Sequence, residues 1–435
     1  MTDANVLLWG RRIGAVSWDE TRALGVFQYD PAFINAGIEV APLTMPAREA
    51  PFEFPALNKE SFEGLPGMLA DALPDRFGNR LIDVWLAQTG KRPETFNPVD
   101  RLCYIGRRGI GALEFEPVLR QRTKAKKLEL ARLVDLASQV LEERADLAGR
   151  LDGENDAQDL EDLLSVGTSA GGARAKAVLA WHPKTGEFRS GQLDANEGFE
   201  HWLLKFDGIS NNKDKELADP DDFGKIEYAY ACMAHAAGIS MSPCRLHHEG
   251  GRSHFMTKRF DRSNDGRKIH MQSLGALQHF DFNDPSAYSY EQAVMTIREL
   301  GLGMPAVEEQ FRRAIFNVVA RNQDDHVKNI SFLMDQSGQW ALSPAYDITY
   351  AYNPTGRWTH DHQMSLAGRR NGFEGDDILQ FAASIDIKRR RALEILDKVS
   401  AAVRDWNKHA EAAGVGPRDV LRIEKAFRSN LMPGG

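Results

Sequence analysis

The segment Arg321-Asn322-Gln323-Asp324-Asp325-His326-Val327-Lys328-Asn329 crowds acids, amides, a histidine and a lysine directly behind the apolar run Ile315, Phe316, Val318, Val319. Polar groups beside a core are costly unless they are satisfied or used. Asn329 lies five residues after Asp324, and Asp347 lies 18 residues after Asn329. That order suits phosphoryl transfer, which needs a carboxylate to orient a hydroxyl and take its proton. It also needs an amide oxygen and a second carboxylate to hold magnesium on the nucleotide phosphates. Magnesium favours hard oxygens from one or two side chains, completed by phosphates, which Asn329 and Asp347 can supply. His326 and Lys328 either meet phosphate or brace the loop.

These residues need a scaffold. Ile330–Leu333 alternates, Asp335–Gly338 turns and Gln339–Leu342 returns, so a small hairpin is expected between Asn329 and Asp347. Helical periodicity predicts helices over 291–300, 306–321, 388–412 and 418–431. The start of the chain reads as β-rich instead. Strands are expected at Val6–Gly10, Gly14–Trp18, Gly25–Tyr29 and Gly37–Ala41, with a Pro-rich loop from Pro42 to Pro55. A helix is expected around Leu81–Leu86, then a Gly-rich piece over 104–113 leading to a strand at Phe115. Further helices are expected over the apolar positions Leu128–Leu141, at Ala157–Leu164, and at Ile226–Ala237, which Gly238 stops. The plan is α+β, with a β-rich part at 1–118, a helical linker plus nucleotide-binding part at 119–270, and a helical catalytic part at 271–435.

The upstream half should hold ATP. It has neither a G-x-G-x-x-G nor a Walker A segment. Thr168-Ser169-Ala170-Gly171-Gly172-Ala173-Arg174-Ala175-Lys176 stands in that place, small enough for backbone amides to approach phosphate. Strands at Ala177–Trp181 and Phe199–Phe206 follow, the second carrying Lys205, and then a helix carrying Glu227. The order matches a phosphate-binding lysine and its helix glutamate.

Composition sets outer bounds. The 435 residues are 42% hydrophobic and 27% charged, ordinary for a folded protein of two or three domains. No apolar run approaches about 20 residues, so no membrane span is expected. Met1–Asn5 has no basic stretch leading into an apolar one, so no secretory signal and a cytoplasmic location are expected. Cys103, Cys232 and Cys244 match no zinc spacing and read as reduced thiols. The net charge of −8 argues against a surface that coats nucleic acid. The basic run Arg120–Lys127 reads as a solvated linker.

Five pieces in order resemble the motifs of the HipA family of toxin kinases. Leu73-Pro74-Asp75-Arg76-Phe77-Gly78 resembles L-P-D-x-[WF]-G, and Ser169 through Lys176 resembles the S-x-x-G-x-x-x-K phosphate loop. Lys258-Arg259-Phe260-Asp261-Arg262 resembles the E-R-F-D-R hinge. Asn322 through Asn329 resembles N-x-D-x-H-x-K-N, and Ser343 through Asp347 resembles L-x-P-x-Y-D. The chain departs from the family at Arg174-Ala175 (usually Gln-Glu), at Asp325 (usually Gly) and at Lys258 (usually Glu).

The resemblance implies a two-lobed protein-kinase-like fold, with an N-terminal α/β lobe and an all-helical C-terminal lobe. It implies a Ser/Thr protein kinase with ATP and Mg2+, in which Asp324 is the base and Asn329 and Asp347 are metal ligands. Ser169, Gly171, Gly172 and Lys205 would face phosphates; Phe260 with its neighbours Lys258 and Asp261 would meet the adenine and ribose, and His326 and Lys328 count among the nucleotide-binding residues. Ser169 is the position that family members autophosphorylate, which switches them off. Negative charge added where triphosphate must sit repels the ligand. The implied role is the toxin of a toxin–antitoxin system, acting on a translation-related protein such as an aminoacyl-tRNA synthetase and arresting growth. An antitoxin with a DNA-binding domain would be its partner, and DNA would be met only through that complex. Two other readings stay open. One is a small-molecule kinase, although Asn322 stands where its H-x-D loop has histidine. The other is a non-catalytic nucleotide-binding corepressor.

Overall fold

Trp9 and Gly10 both take positive φ, +51° and +76°, which suits the tight turn that matches strand twist in a hairpin. They join β1 (Asp3–Leu8) to β2 (Arg11–Asp19), with Val6 opposite Gly14. The turn therefore sits at Trp9-Gly10, inside the strand expected over Val6–Gly10, and Arg11 and Arg12 open β2. β3 (Leu24–Tyr29) pairs with β2, and β4 (Leu113–Glu116) pairs with β1, giving an antiparallel sheet in the order β3-β2-β1-β4. Gly37–Ala41 is not a strand. Asp30 caps a single turn, Pro31–Ile34, and the chain leaves the sheet there. Val40 and Ala41 are fully buried all the same, and the Val40 carbonyl accepts from Gln272 Nε2 at 2.6 Å rather than from a ladder.

The computed structural model describes residues 2–119, 127–141, 154–167, 174–191, 198–208 and 222–431. The chain forms two compact units. One comprises Met1–Asp219, His247–Gln272 and Met334–Gly338; the other comprises Pro220–Leu246, Ser273–Leu333 and Gln339–Gly435.

In the first unit, the helix Arg76–Gln88 starts ahead of its apolar run because the Asp75 carboxylate caps it, accepting the Gly78 N–H at 2.7 Å. The helix Pro98–Ile105 was not expected. An Asn97/Asp100 capping box and Pro98 start it, and Gly106 at φ +57° ends it. The helices Leu130–Leu141 and Glu154–Gly167 cover a second sheet, formed by β5 (Lys176–Trp181), β6 (Phe188–Ser190), β7 (Glu200–Lys205), β8 (Cys244–Glu249) and β9 (Arg252–Lys258). Its order is β6-β5-β7-β9-β8, and its core sets Leu133, Val134 and Leu163 against Leu179, Leu204 and Met256. Gly250 and Gly251, both at positive φ, turn β8 into β9.

The second unit is mainly helical. Its helices include Phe223–Ala236, Tyr290–Glu299, Met304–Ala320, Gly375–Ser384 and Pro417–Ala426. The single helix expected over 388–412 is two, Arg389–Arg404 and Trp406–Ala413. Asp405 breaks it with ψ near 12°, which turns Trp406 inward, 5.4 Å from the Tyr230 ring and 5.9 Å from Phe427. The last helix stops at Ala426, short of the expected Leu431, because Phe427 turns extended and the Arg428 N–H bonds the Val319 carbonyl at 3.0 Å.

Candidate active site

The helix Met304–Ala320 ends when Arg321 adopts left-handed geometry, φ +58°, and its N–H returns to the Asn317 carbonyl. The chain then crosses Asn322–His326, makes a short 3-10 turn at Val327–Asn329 and enters the hairpin of β11 (Ser331–Met334) and β12 (Trp340–Leu342). The expected loop-hairpin-loop arrangement is therefore present; β10 (His270–Ser273) precedes it in the chain.

Two neighbouring acids are sorted by burial. Asp324 presents its side chain to solvent, 53% exposed, with His326 Nε2 3.9 Å away. Asp325 is 3% exposed and fully engaged. Its Oδ1 accepts the Gln363 N–H at 2.8 Å, and its Oδ2 accepts from Tyr290 at 2.5 Å and from His362 at 2.7 Å. Burial alone would raise the Asp325 pKa, yet His362 and these hydrogen bonds hold it below the usual carboxylate value. Of the two carboxylates, Asp324 is the exposed one.

Asn329 Nδ2 donates to the Asp324 carbonyl at 2.7 Å, closing the loop and leaving the amide oxygen as the atom suited to a cation. Tyr346 fastens the next motif to this one. Its hydroxyl donates to the Lys328 carbonyl and meets Ser331 Oγ, each at 2.5 Å. The Ala345 N–H is held by the Ser240 carbonyl at 2.8 Å, and Arg313 Nη2 grips the Ser343 carbonyl at 2.7 Å. Asp347 follows in left-handed geometry, φ +52°, at a cost of about 1–2 kcal/mol for a residue with a Cβ. Lys328 lies over the Phe282 ring at 4.1 Å, a cation–π contact, so its ammonium is braced beside the loop. Beneath the loop is a cavity of about 20 Å³ bordered by Asn329, Ala345 and Ile348. Gln310 Oε1, Asn322 Oδ1 and His326 Nδ1 are buried without a hydrogen-bond partner among the described residues, and all three residues line it. It has room for about one water.

In the first unit, Lys205 is buried at the end of β7, directly opposite Lys176 on β5, with its ammonium 5.9 Å from the Phe255 ring. Like charges paired across strands repel, so this strand end favours an anion. Asp75, the helix cap, supplies one at 3.9 Å from Lys176, which links two of the sequence motifs. Lys258 pairs with Glu200 at 2.9 Å, and Phe260 is half-buried. Asp261 is held by Arg259 at 2.8 and 2.6 Å, by Arg262 at 2.8 Å and by the Gly111 N–H at 2.7 Å. Arg262 also donates to the Gly109 and Gly111 carbonyls. The hinge motif is thus an ionic clamp on the 109–111 loop, and both Asp261 oxygens are occupied. Ser169, Gly171 and Gly172 lie outside the described residues, as does the basic run 120–126.

Comparison with known proteins settles the family. A profile of the HipA-like C-terminal domain matches residues 168–406, more than half of the chain, and one of the HipA N-terminal domain matches residues 4–116. The chain belongs to the HipA family. Its fold is similar to that of HipA in the Shewanella oneidensis MR-1 structure of HipA, HipB and operator DNA, with a TM-score of 0.68 and 17% identity. That likeness covers 99% of this chain and 96% of the Shewanella one. A protein of Sinorhizobium fredii (strain NBRC 101917 / NGR234), named "Putative kinase Y4mE", is 26% identical over 190 residues. The match takes in 39% of this chain and 44% of that protein, so the chain spans less than half the length of the curated relative it matches.

Within this HipA-family chain, the residues that sequence reading missed are supports. Tyr346 was quoted only as a motif letter, and its hydroxyl proves to be the fastener. His362 sits in an unpatterned segment and Arg428 within the helix expected over 418–431, and nothing in either stretch singles them out.

Proposed function

We propose that this HipA-family chain is a Mg2+- and ATP-dependent Ser/Thr protein kinase of two-lobed, protein-kinase-like fold. The observation that carries the reading is the division of labour at 324–325: one carboxylate is exposed and lightly held, and its neighbour is buried and spent on scaffolding. In the proposed step, a Ser or Thr hydroxyl of the protein substrate attacks the γ-phosphorus as Asp324 takes its proton. A P–O bond forms, the bond to ADP breaks, and the nucleotide leaves with the electron pair. Asn329 and Asp347 offer the oxygen donors that magnesium prefers, and the ion would neutralise phosphate charge. In the first unit, Lys205, opposite Lys176, would meet phosphates and Phe260 with Lys258 and Asp261 would serve the base and ribose; in the second, His326 and Lys328 are the proposed nucleotide contacts.

The rest of the reading is a toxin controlled by autophosphorylation at Ser169, with a translation-related protein as target. An antitoxin carrying a DNA-binding domain would be its partner. The Shewanella relative is seen with HipB and operator DNA, and a net charge of −8 favours DNA contact through such a partner. No described helix is long and apolar enough to cross a membrane. Phosphopeptide mapping of cells expressing the wild type or Asp324→Ala tests the proposal. New phosphoserine or phosphothreonine sites are expected with the wild type alone; identical maps would contradict it.

A further inference from the structure

Asp325 is the end of a chain of hydrogen bonds that reaches across the second unit. His362 Nδ1 meets its Oδ2 at 2.7 Å, and Arg428 Nη1 lies 3.0 Å from His362 Nε2. A guanidinium has only donors, so His362 Nε2 must accept and the ring proton must sit on Nδ1, directed at Asp325. The three residues are 37 and 66 positions apart in sequence, yet Asp325 and His362 are both buried. A second branch runs from the same carboxylate. Tyr290 receives Asn317 Nδ2 at 3.0 Å, and Asn317 Oδ1 receives Asn322 Nδ2 at 2.9 Å, returning to the start of the loop.

Arg428 belongs to the segment after the last helix, and its other side-chain bonds run to the helix end before the loop, to the loop and to Asn371. It donates to the Val318 carbonyl at 2.7 Å, to Gln323 Oε1 at 3.2 Å and to Asn371 Oδ1 at 3.0 Å. Arg321 Nε answers by bonding the Ala426 carbonyl at 2.7 Å. Asp324 has its carbonyl held by Asn329, but its side chain has little of its own to fix it. Its Cα is one peptide, about 3.8 Å, from that of Asp325, so whatever holds Asp325 holds Asp324.

We propose that Asp325, His362 and Arg428 are positioning residues through which the C-terminal segment sets the catalytic loop. Their contribution to turnover rests on the kinase reading above; their hold on the loop does not. Misplacing a reacting group by about 1 Å can cost roughly 100-fold in rate. Arg428→Gln and Asp325→Asn should therefore lower kcat by about 10- to 100-fold, with the KM for ATP within about twofold of wild type. The double variant should be little worse than the poorer single one, as expected for members of one chain. Arg428→Lys, which keeps charge but loses the fork, should fall between and serves if Arg428→Gln folds poorly. Independently of activity, amide hydrogen exchange over residues 322–329 should accelerate in Arg428→Gln while the helix Arg389–Arg404 stays protected. Unchanged exchange in the loop overturns the proposal, as does a loss confined to KM or a fully multiplicative double variant. A loosened loop in a protein whose wild type transfers no phosphate would leave the positioning chain standing and remove the kinase reading.

Discussion

Single residues decide what the site can do. Tyr346 is bound to both the turn Val327–Asn329 and the hairpin. Tyr346→Phe removes one hydroxyl and leaves the part-buried Lys328 carbonyl short of a donor, so a loss of about 1 kcal/mol is expected by denaturant melt, together with slower turnover. Asp261→Asn should cost more. It leaves Arg259 and Arg262 without their shared counter-charge in a buried place, for an expected loss of about 3–5 kcal/mol, read in the same way. The loop, hairpin and loop that carry Asp324, Asn329 and Asp347 were legible in sequence because polar crowding, alternation and a turn signal fall there in order along a short stretch. The clamp of Asp261 on Gly111 was not, since it joins residues 150 positions apart through a backbone N–H that any residue but proline offers.

At the scale of elements, legibility followed the strength of local signals. The helices Tyr290–Glu299 and Met304–Ala320 were expected within a residue or two, because apolar periodicity and caps agree there. Expectation failed where burial and backbone pairing part company. Val40 and Ala41 of the run Gly37–Ala41 are buried, but the run forms no backbone ladder, and a Gln272 side chain meets its Val40 carbonyl instead. The helix predicted over 388–412 failed for a related reason. Its periodicity runs on across Asp405, while the packing of Trp406 against Tyr230 and Phe427 requires a change of direction. That packing should be energetically visible. Trp406→Ala is expected to destabilise the protein by about 3–5 kcal/mol in thermal or denaturant melts, near the upper range for a core truncation. An Asp75→Ala change removes both the cap of the helix Arg76–Gln88 and the carboxylate beside buried Lys176, so it should cost more than a cap alone, which is worth about 1 kcal/mol.

For the whole molecule, pH gives a test of how the first unit is built. Burial pushes His201, His254 and His270 down to about 4, well under their ordinary value. Unfolded, each takes a proton near pH 6.5; folded, each resists until about pH 4. Between those values the unfolded chain binds more protons, so stability must rise with pH across that window and fall as the medium is acidified. Melting temperature should drop steadily from pH 7 to pH 5, and His270→Gln should flatten that slope; an unchanged slope would refute the assignment. The central claim concerns chemistry, and one measurement reaches it directly. Purified protein is incubated with magnesium and ATP labelled at the γ-phosphate, beside Asp324→Ala, and label on protein is counted with and without cell lysate. The account predicts label on serine or threonine with the wild type and at least a hundredfold less with the variant. Equal labelling of both, or no transfer by the wild type to itself or to any lysate protein, would contradict it.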